Sequence, residues 1–244
     1  MLVYVYDGSF EGLLAAIYDA YYNNQKPERL ADLRYIQMNL LDEYIYINTD
    51  MEKSNKVYNS IRYKISSEAL RLVYNVFLSE AEESGTIIFE YLKLGWKTGR
   101  DVDKHLADDR VLKVHQLSRK VEGENHRMMG FLRFRLIEDN IYYAPIRPDN
   151  NIAALLAPHF ADRMSDQRWI IHDVRRGLAA VYNLGEWVLA EVDSKDLEGL
   201  EEKDTQYQEL WKEFFNTIAI PGRINPKLQR RLMPVRYWRY LPEK

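Results

Sequence analysis

The amino-acid sequence predicts an α+β fold, in which a helix-rich N-terminal half, fronted by a strand, precedes an antiparallel sheet with packed helices. Apolar residues recur at helical spacing through most of 51–123, whereas short β-branched and aromatic runs follow residue 130. The 244 residues are 46% hydrophobic and 29% charged, which is enough for a buried core and unlike a disordered chain. The change in pattern predicts two domains: 1–90, a strand plus helices, and 91–244, an α+β domain with a basic C-terminal tail.

The N-terminal elements follow from local patterns. A β-branched and aromatic run predicts a strand over 2–6, and Asp7-Gly8-Ser9 forms a turn that can cap a helix beginning at Phe10. Alternating Tyr and Ile predict a second strand over 43–48. Four further helices are predicted at 57–65, at 69–77 after a cap at Ser66 or Ser67, at 87–94 before Gly95, and at 111–121 after Asp108.

The C-terminal half has the pattern of an antiparallel sheet. Strands are predicted over 131–137 and 141–146, joined as a hairpin by the turn Glu138-Asp139-Asn140. A helix capped by Asn150 or Asn151 follows and ends near Arg163. The remaining predicted elements are strands at 168–173, 178–182 and 186–191, a helix around 210–215, and a tail helix that starts at Asn225-Pro226.

Composition excludes several classes of protein. The chain has no cysteine, so disulfides, a cysteine nucleophile, a thiolate zinc site and a self-ligated iron–sulfur cluster are excluded. No apolar run approaches a membrane span, and the N-terminus does not resemble a signal peptide. We therefore expect a cytoplasmic protein that makes no contact with a membrane.

Charge is unevenly distributed along the chain. The net charge is −3, but residues 191–213 carry −6 and residues 214–244 carry +6. From residue 119 onward there are 14 arginines and 6 lysines. Arginine suits phosphate and carboxylate recognition, so an arginine- and aromatic-rich half is typical of an anion-binding surface, with nucleic acid as the obvious polymer. The alternative is that these arginines pair with internal carboxylates or cover the core.

A first candidate site precedes the predicted strand at 131–137. His126, Arg127 and Arg133 surround Gly130, whose free N–H could help to hold an anion. Alternation along a half-buried strand explains the same arginines without a site.

A second candidate site combines His159 and Arg163 with His172 and Asp173. The candidates for acid–base catalysis are His126, His159, His172 and Asp173. The candidates for binding an anionic substrate are Arg127, Arg133 and Arg163. His172 and Asp173 are adjacent on a strand and point to opposite faces, so they cannot form an ordinary pair. The alternative is that both histidines are satisfied by backbone at the edge of the core.

The basic tail is the third candidate. Its anion- and base-binding residues would be Arg223, Arg230, Arg231, Arg236 and Trp238, since neighbouring arginines hold phosphate and aromatic rings stack on bases. The alternative is a terminal strap, in which Trp238 enters the core and the cations neutralise the acidic segment 191–213.

No cofactor and no metal site are predicted. Glu122, His126, His159, His172 and Asp173 are metal-ligating residue types, but their spacing matches no established metal motif.

The sequence resembles a bacterial family of unknown function across almost its whole length. The resemblance is carried, in order, by the segments YDGSFEG (6–12), ENHRMMGFLRF (124–134), HFADR (159–163), WIIHD (169–173), LWKEFF (210–215) and RYW (236–238). Members are described as probable DNA metabolism or repair proteins and are typically encoded beside a radical-SAM protein. The domain forming the last two-thirds also occurs fused to a uracil-DNA-glycosylase-like domain. The resemblance implies no particular reaction, and no catalytic residues can be transferred to this sequence from it.

Three functions therefore stay open. The first is an accessory protein of DNA metabolism or repair that binds DNA or a nucleotide and works with a radical-SAM partner protein. The second is an enzyme that acts on a damaged base, nucleotide or phosphodiester through its histidines. The third is a structural subunit without nucleic-acid contact.

Overall fold

The computed structural model describes residues 1–23, 26–137, 140–192 and 225–242, together with residues 209, 210, 213 and 217. The chain forms two compact units, Met1–Glu122 and Gly123–Lys244. The fold class is α+β, as predicted, with a helical N-terminal half and a five-stranded sheet in the C-terminal half.

The first unit contains a three-stranded parallel sheet. β1 (Leu2–Tyr6) lies between β2 (Arg29–Asp32) and β3 (Glu43–Tyr46) and is parallel to both. The predicted strands at 2–6 and 43–48 are confirmed. β2 was not predicted, because Arg-Leu-Ala-Asp neither alternates nor contains a β-branched residue.

Helices complete the first unit and bury the apolar faces that their spacing predicts. α1 (Phe10–Tyr22) begins at Ser9, whose Oγ accepts a hydrogen bond from the N–H of Gly12. The elements that follow are α2 (Met51–Ser60), a π-helix (Ile61–Ile65), α3 (Ser67–Leu78), α4 (Ser84–Thr98), a 3-10 helix (Gly99–Lys104) and α5 (Asp109–Phe131), within which the division between the units falls. Ser66 caps α3, as one of the two predicted alternatives.

The predicted helix end at Gly95 is wrong. α4 continues to Thr98, because Gly95 is buried against Ile65 and permits close packing instead of ending the helix. The predicted domain division at residue 90 falls inside α4 and stays a prediction.

The second unit contains a five-stranded sheet in sequence order. Its strands are β4 (Arg135–Leu136), β5 (Ile141–Ile146), β6 (Arg168–Asp173), β7 (Leu178–Tyr182) and β8 (Trp187–Glu191). The sheet is mixed and not wholly antiparallel as predicted, since β5 and β6 are parallel. The reason is the intervening helix α6 (Ala153–Arg163), because a crossover connection returns the chain to run in the same direction.

The predicted strand over 131–137 is largely wrong. α5 extends to Phe131, and Met128 and Leu132 are both buried, at the four-residue spacing of a helix. Only Arg135 and Leu136 pair with β5, in the predicted antiparallel hairpin. Asn140, at the end of the predicted turn, adopts a left-handed backbone with a φ of 56°.

The core of the second unit lies between the sheet and α6. Trp169 on β6 is fully buried and stacks on Tyr182 of β7, with ring centroids 5.2 Å apart. Phe160 of α6 meets Phe134 edge-on at 5.2 Å.

The C-terminal tail begins with α7 (Pro226–Leu232), as the Asn225-Pro226 pattern predicts, and the Oδ1 of Asn225 caps it. A second 3-10 helix (Val235–Tyr240) follows. Of the predicted helix around 210–215, only Leu210 and Glu213 are described, and both are helical. Most of the acidic segment 191–213 lies outside the described residues. Among the helices that the structure describes, none is both long and apolar enough to cross a membrane.

Candidate nucleic-acid interface

Two adjacent clefts in the second unit are rich in arginines. The larger, of about 340 Å³, is lined by Arg147, Arg175, Arg236, Arg239 and Tyr240, with Pro148 and Asp149. The smaller, of about 140 Å³, is lined by Arg133, Arg135, Arg239 and Tyr240, with Phe134, Pro145, Leu241 and Pro242. We call them the arginine clefts; Arg239 and Tyr240 form part of both.

The fold explains why these arginines meet. Arg147 directly follows β5 and Arg175 lies two residues beyond β6. Because these two strands are parallel, their carboxyl ends lie at the same edge of the sheet, where ligands commonly bind in α/β sheets. The second 3-10 helix adds Arg236, Arg239 and Tyr240.

The arginine clefts are strongly basic, although the chain as a whole carries a net charge of −3. Among the described residues, their linings contain six arginines and one carboxylate, that of Asp149. Asp149 pairs with Arg236 at 2.6 Å. Arg147 and Arg239 have no carboxylate within ion-pair distance among the residues that the structure describes. Their guanidinium groups are therefore available for an anion.

A buried carboxylate holds the walls of the larger cleft in place. Glu124 on α5 is 1% exposed and accepts hydrogen bonds from the N–H groups of Asp149 and Asn150, at 2.8 Å each, and from the side-chain amide of Asn150. It also accepts a hydrogen bond from the hydroxyl of Tyr237. Burial alone would raise the pKa of Glu124, but these donors outweigh it, so the pKa lies below its usual value.

Asp173 supports the same loop from the end of β6. It is fully buried and accepts hydrogen bonds from the guanidinium of Arg176, at 2.6 Å, and from the N–H of Arg175. Arg176 also donates to the carbonyl oxygens of Pro148 and Asp149. Burial raises the pKa of Asp173, and Arg176 partly opposes that rise. Asp173 thus fixes the backbone beside the larger cleft and is not among the described residues that line it.

Comparison with models of protein families shows to which family the chain belongs. The family model described as a domain of unknown function, DUF4130, matches residues 82–243. The chain belongs to the DUF4130 family. The matched DUF4130 region contains α4, α5, the whole five-stranded sheet and every residue that lines the arginine clefts. No match to the chain was found among curated proteins.

The predicted acid–base residues of this DUF4130 protein are not among the described residues that line the arginine clefts. His126 is exposed near the end of α5, and His159 is half-buried on α6 with its ring edge-on to Phe160. His172 is fully buried; its Nδ1 lies 2.9 Å from the hydroxyl of Tyr143, and its Nε2 has no hydrogen-bond partner among the described residues. Burial lowers the pKa of His172, opposed in part by Asp173. None of these three histidines is among the described residues that line the arginine clefts.

The predicted anion-binding residues divide into two groups. Arg133 and Arg236 line the arginine clefts, whereas exposed Arg127, on α5, and Arg163, at the end of α6, do not. Arg230 and Arg231 are exposed on α7 and also lie outside the linings. Trp238 is partly buried, and its Nε1 donates to the carbonyl oxygen of Met233 at 3.0 Å, which closes the turn after α7. Arg223 lies outside the described residues.

The proposed anion site around the N–H of Gly130 is corrected by the structure. Gly130 lies within α5, where backbone N–H groups bond to the preceding turn. Arg133 donates to the carbonyl oxygens of Gly130 and Leu132, next to the end of α5 at Phe131. Among described residues, no three His, Asp or Glu side chains are grouped in a way that could hold a metal ion.

Sequence reasoning missed Arg147 and Arg175. The sequence signal that could have found them is that each arginine follows a predicted strand. This signal indicates a shared site only once β5 and β6 are known to be parallel, because antiparallel strands would place the two arginines at opposite edges of the sheet.

Proposed function

We propose that this DUF4130 protein is an accessory protein of DNA metabolism or repair that binds nucleic acid through its arginine clefts. The observation that carries the proposal is the convergence of six arginines and Tyr240 on two clefts with a common wall. Guanidinium groups suit phosphate oxygens because of their planar, forked geometry, and an aromatic ring provides a surface on which a base can stack.

The form of the clefts favours a polymer over a small anion. Two clefts that share Arg239 and Tyr240 form a continuous basic surface, which suits successive phosphates along a strand. Arg147 and Arg239, which lack carboxylate partners among the described residues, are the groups most available to phosphate.

Binding, and not catalysis, is the role that this geometry supports. The clefts are lined by permanent cations, whereas a general acid or base must change its protonation state near neutral pH. His126, His159 and His172 lie outside the cleft linings. We therefore assign to the clefts the task of holding nucleic acid for chemistry carried out elsewhere.

The proposed partner is a radical-SAM enzyme, on the strength of the family resemblance described above. In this arrangement the accessory protein would bind the DNA and its partner would supply the chemistry. Co-purification of the two full-length proteins from cells that express both tests the partnership, and separation of the two during purification would contradict it.

The nucleic-acid proposal is tested by fluorescence anisotropy with labelled single- and double-stranded DNA. We expect saturable binding that weakens as salt increases. Replacing both Arg147 and Arg239 by Gln should weaken binding. A control with Gln at Arg119 and Arg168, which are exposed and outside the cleft linings, should bind like the native protein. Absence of binding to both forms of DNA, with and without the partner, would refute the proposal.

A further inference from the structure

A separate cleft of about 170 Å³ lies in the first unit. The residues that matter for the inference are Tyr18, Tyr21, Tyr22, Trp96, Lys56 and Lys64, and we call their site the tyrosine cleft. They come from α1, α2, the π-helix and α4, and none belongs to the arginine clefts.

The aromatic rings of the tyrosine cleft form one contiguous group. The ring centroids of Tyr18 and Tyr22 are 4.6 Å apart, and Tyr21 meets Trp96 edge-on at 4.9 Å. Tyr21 and Tyr22 are nevertheless 47% and 67% exposed. Large rings that touch one another yet face solvent offer a flat surface for another ring system.

A close approach between two helices shapes the cleft. A Cβ atom on Gly95 would lie 2.6 Å from the Cδ1 of Ile65, so any other residue would force Ile65 to shift at this contact between α4 and the π-helix. Their chain neighbours, Trp96 and Lys64, then line the same cleft. π-helical turns are rare and are frequently found at functional sites.

The charge of the tyrosine cleft selects against cations. Among the residues that the structure describes, no acidic residue lines it and Lys64 has no carboxylate partner. Lys56 pairs with Glu52 at 2.5 Å, but both side chains are more than half exposed, so the pair is weak and can be exchanged for another anion. An alkylammonium ligand, which often binds aromatic cages, would be repelled by the two lysines.

We infer that the tyrosine cleft binds a single nucleotide unit, with its base against the tyrosine rings and its phosphate near Lys56 and Lys64. The volume is below that of typical sites for whole small molecules, which fits one ring system with the phosphate left at the rim. The nucleotide can be free or an unpaired unit of a strand, since both present the same chemistry. The inference is independent of the arginine clefts.

The test uses the full-length protein and deoxyadenosine monophosphate as the probe. Binding is followed by the NMR resonance of the Trp96 indole N–H, assigned with a Trp96→Phe variant. Parallel titrations with deoxyadenosine, and with a single-stranded deoxyadenosine oligonucleotide, separate the contributions of phosphate and strand. We expect a saturable shift with the monophosphate and a weaker one with the nucleoside. Tighter binding of the monophosphate than of the oligonucleotide would assign the site to free nucleotides, and the reverse order would assign it to strands.

Matched variants locate the binding site. Tyr22→Ala should weaken binding about tenfold or more by removing a stacking ring, whereas Tyr63→Ala, which removes an equally exposed ring outside the cleft, should have no effect. Lys64→Gln should weaken binding of the monophosphate but not of the nucleoside. Lys97→Gln, exposed on α4 and outside the lining, is its control.

The test of the tyrosine cleft can succeed or fail independently of the DNA-binding test of the proposed function. The variant with Gln at Arg147 and Arg239 should keep the Trp96 response, even though its DNA binding is weakened. The inference is overturned if neither the monophosphate nor the oligonucleotide shifts the Trp96 resonance saturably. It is equally overturned if Tyr22→Ala and Tyr63→Ala have the same effect.

Discussion

The hydroxyl of Tyr237 donates a hydrogen bond to the buried carboxylate of Glu124, which lies 113 positions earlier in the chain. This bond attaches the second 3-10 helix to α5 within the second unit. Because Arg236, Arg239 and Tyr240 belong to that 3-10 helix, the bond also fixes one wall of the larger arginine cleft.

Tyr237→Phe should lower the free energy of unfolding by about 1–3 kcal/mol, because a buried carboxylate loses a hydrogen-bond donor. Tyr240→Phe is the matched control, since the hydroxyl of Tyr240 has no hydrogen-bond partner among the described residues; it should change stability by less than about 0.5 kcal/mol. Urea unfolding measures both. Equal effects of the two substitutions would show that Tyr237 contributes only through its ring.

Glu124→Gln should destabilise the protein by about 3 kcal/mol near neutral pH, because an amide places N–H groups against the donors of Asp149, Asn150 and Tyr237. The folded-state pKa of Glu124 is lowered, so its stabilisation is complete above the unfolded value of about 4.3 and is lost as the pH falls through the folded value. The difference between the native protein and Glu124→Gln should therefore shrink on acidification, as measured by urea unfolding across the pH range. A constant difference would contradict this assignment.

His172 should remain neutral throughout the physiological pH range, because burial lowers its pKa. Its contribution to stability is then complete above the unfolded pKa of about 6.5 and is lost as the pH falls through the lower folded value. NMR titration of the His172 Cε1–H resonance tests this. Titration of His172 at or above the ordinary histidine pKa of about 6.5 would be inconsistent with a buried neutral ring.

Two glycines in helices should respond to alanine in opposite ways. Gly95→Ala should destabilise the protein by about 1–3 kcal/mol, since the new methyl group meets buried Ile65. Gly130→Ala should be neutral or stabilise by up to about 1 kcal/mol. Apart from its chain neighbours and its own helix backbone, no described atom lies within 4 Å of the added Cβ, and alanine favours helix. Thermal and urea unfolding of both variants provide the comparison, and destabilisation by Gly130→Ala would contradict the packing described for α5.

Local patterns predicted most elements of the fold, because strands such as β1 and β6 and helices such as α1 have strong periodicity and caps. They failed where packing between distant residues determines the end of an element or the direction of strand pairing. α5 passes through Gly130 since Met128 and Leu132 are buried together, and β5 pairs with β6 in parallel since α6 carries the chain across. Both failures affected the site prediction. The pairing of β5 with β6 brings Arg147 and Arg175 together, and no residue-level pattern shows that pairing.

Among the predicted site residues, Arg133 and Arg236 lie in the arginine clefts, while His172 and Asp173 are buried. Residue types that can bind anions or transfer protons pointed to the half of the chain that contains the arginine clefts. They could not distinguish side chains that face solvent from those that hold the backbone, because both uses favour Arg, His and Asp near the ends of strands. The proposed catalytic roles of His126, His159, His172 and Asp173 stay predictions.

The most direct test of the nucleic-acid proposal is the salt dependence of single-stranded DNA affinity. Each phosphate contact contributes about 0.7 to the slope of log affinity against log salt, so replacing both Arg147 and Arg239 by Gln should reduce the slope by about one unit or more and weaken binding at low salt. The Gln control at Arg119 and Arg168 should keep the native slope. If the variant at Arg147 and Arg239 binds with the native slope and affinity, the arginine clefts are not the nucleic-acid interface.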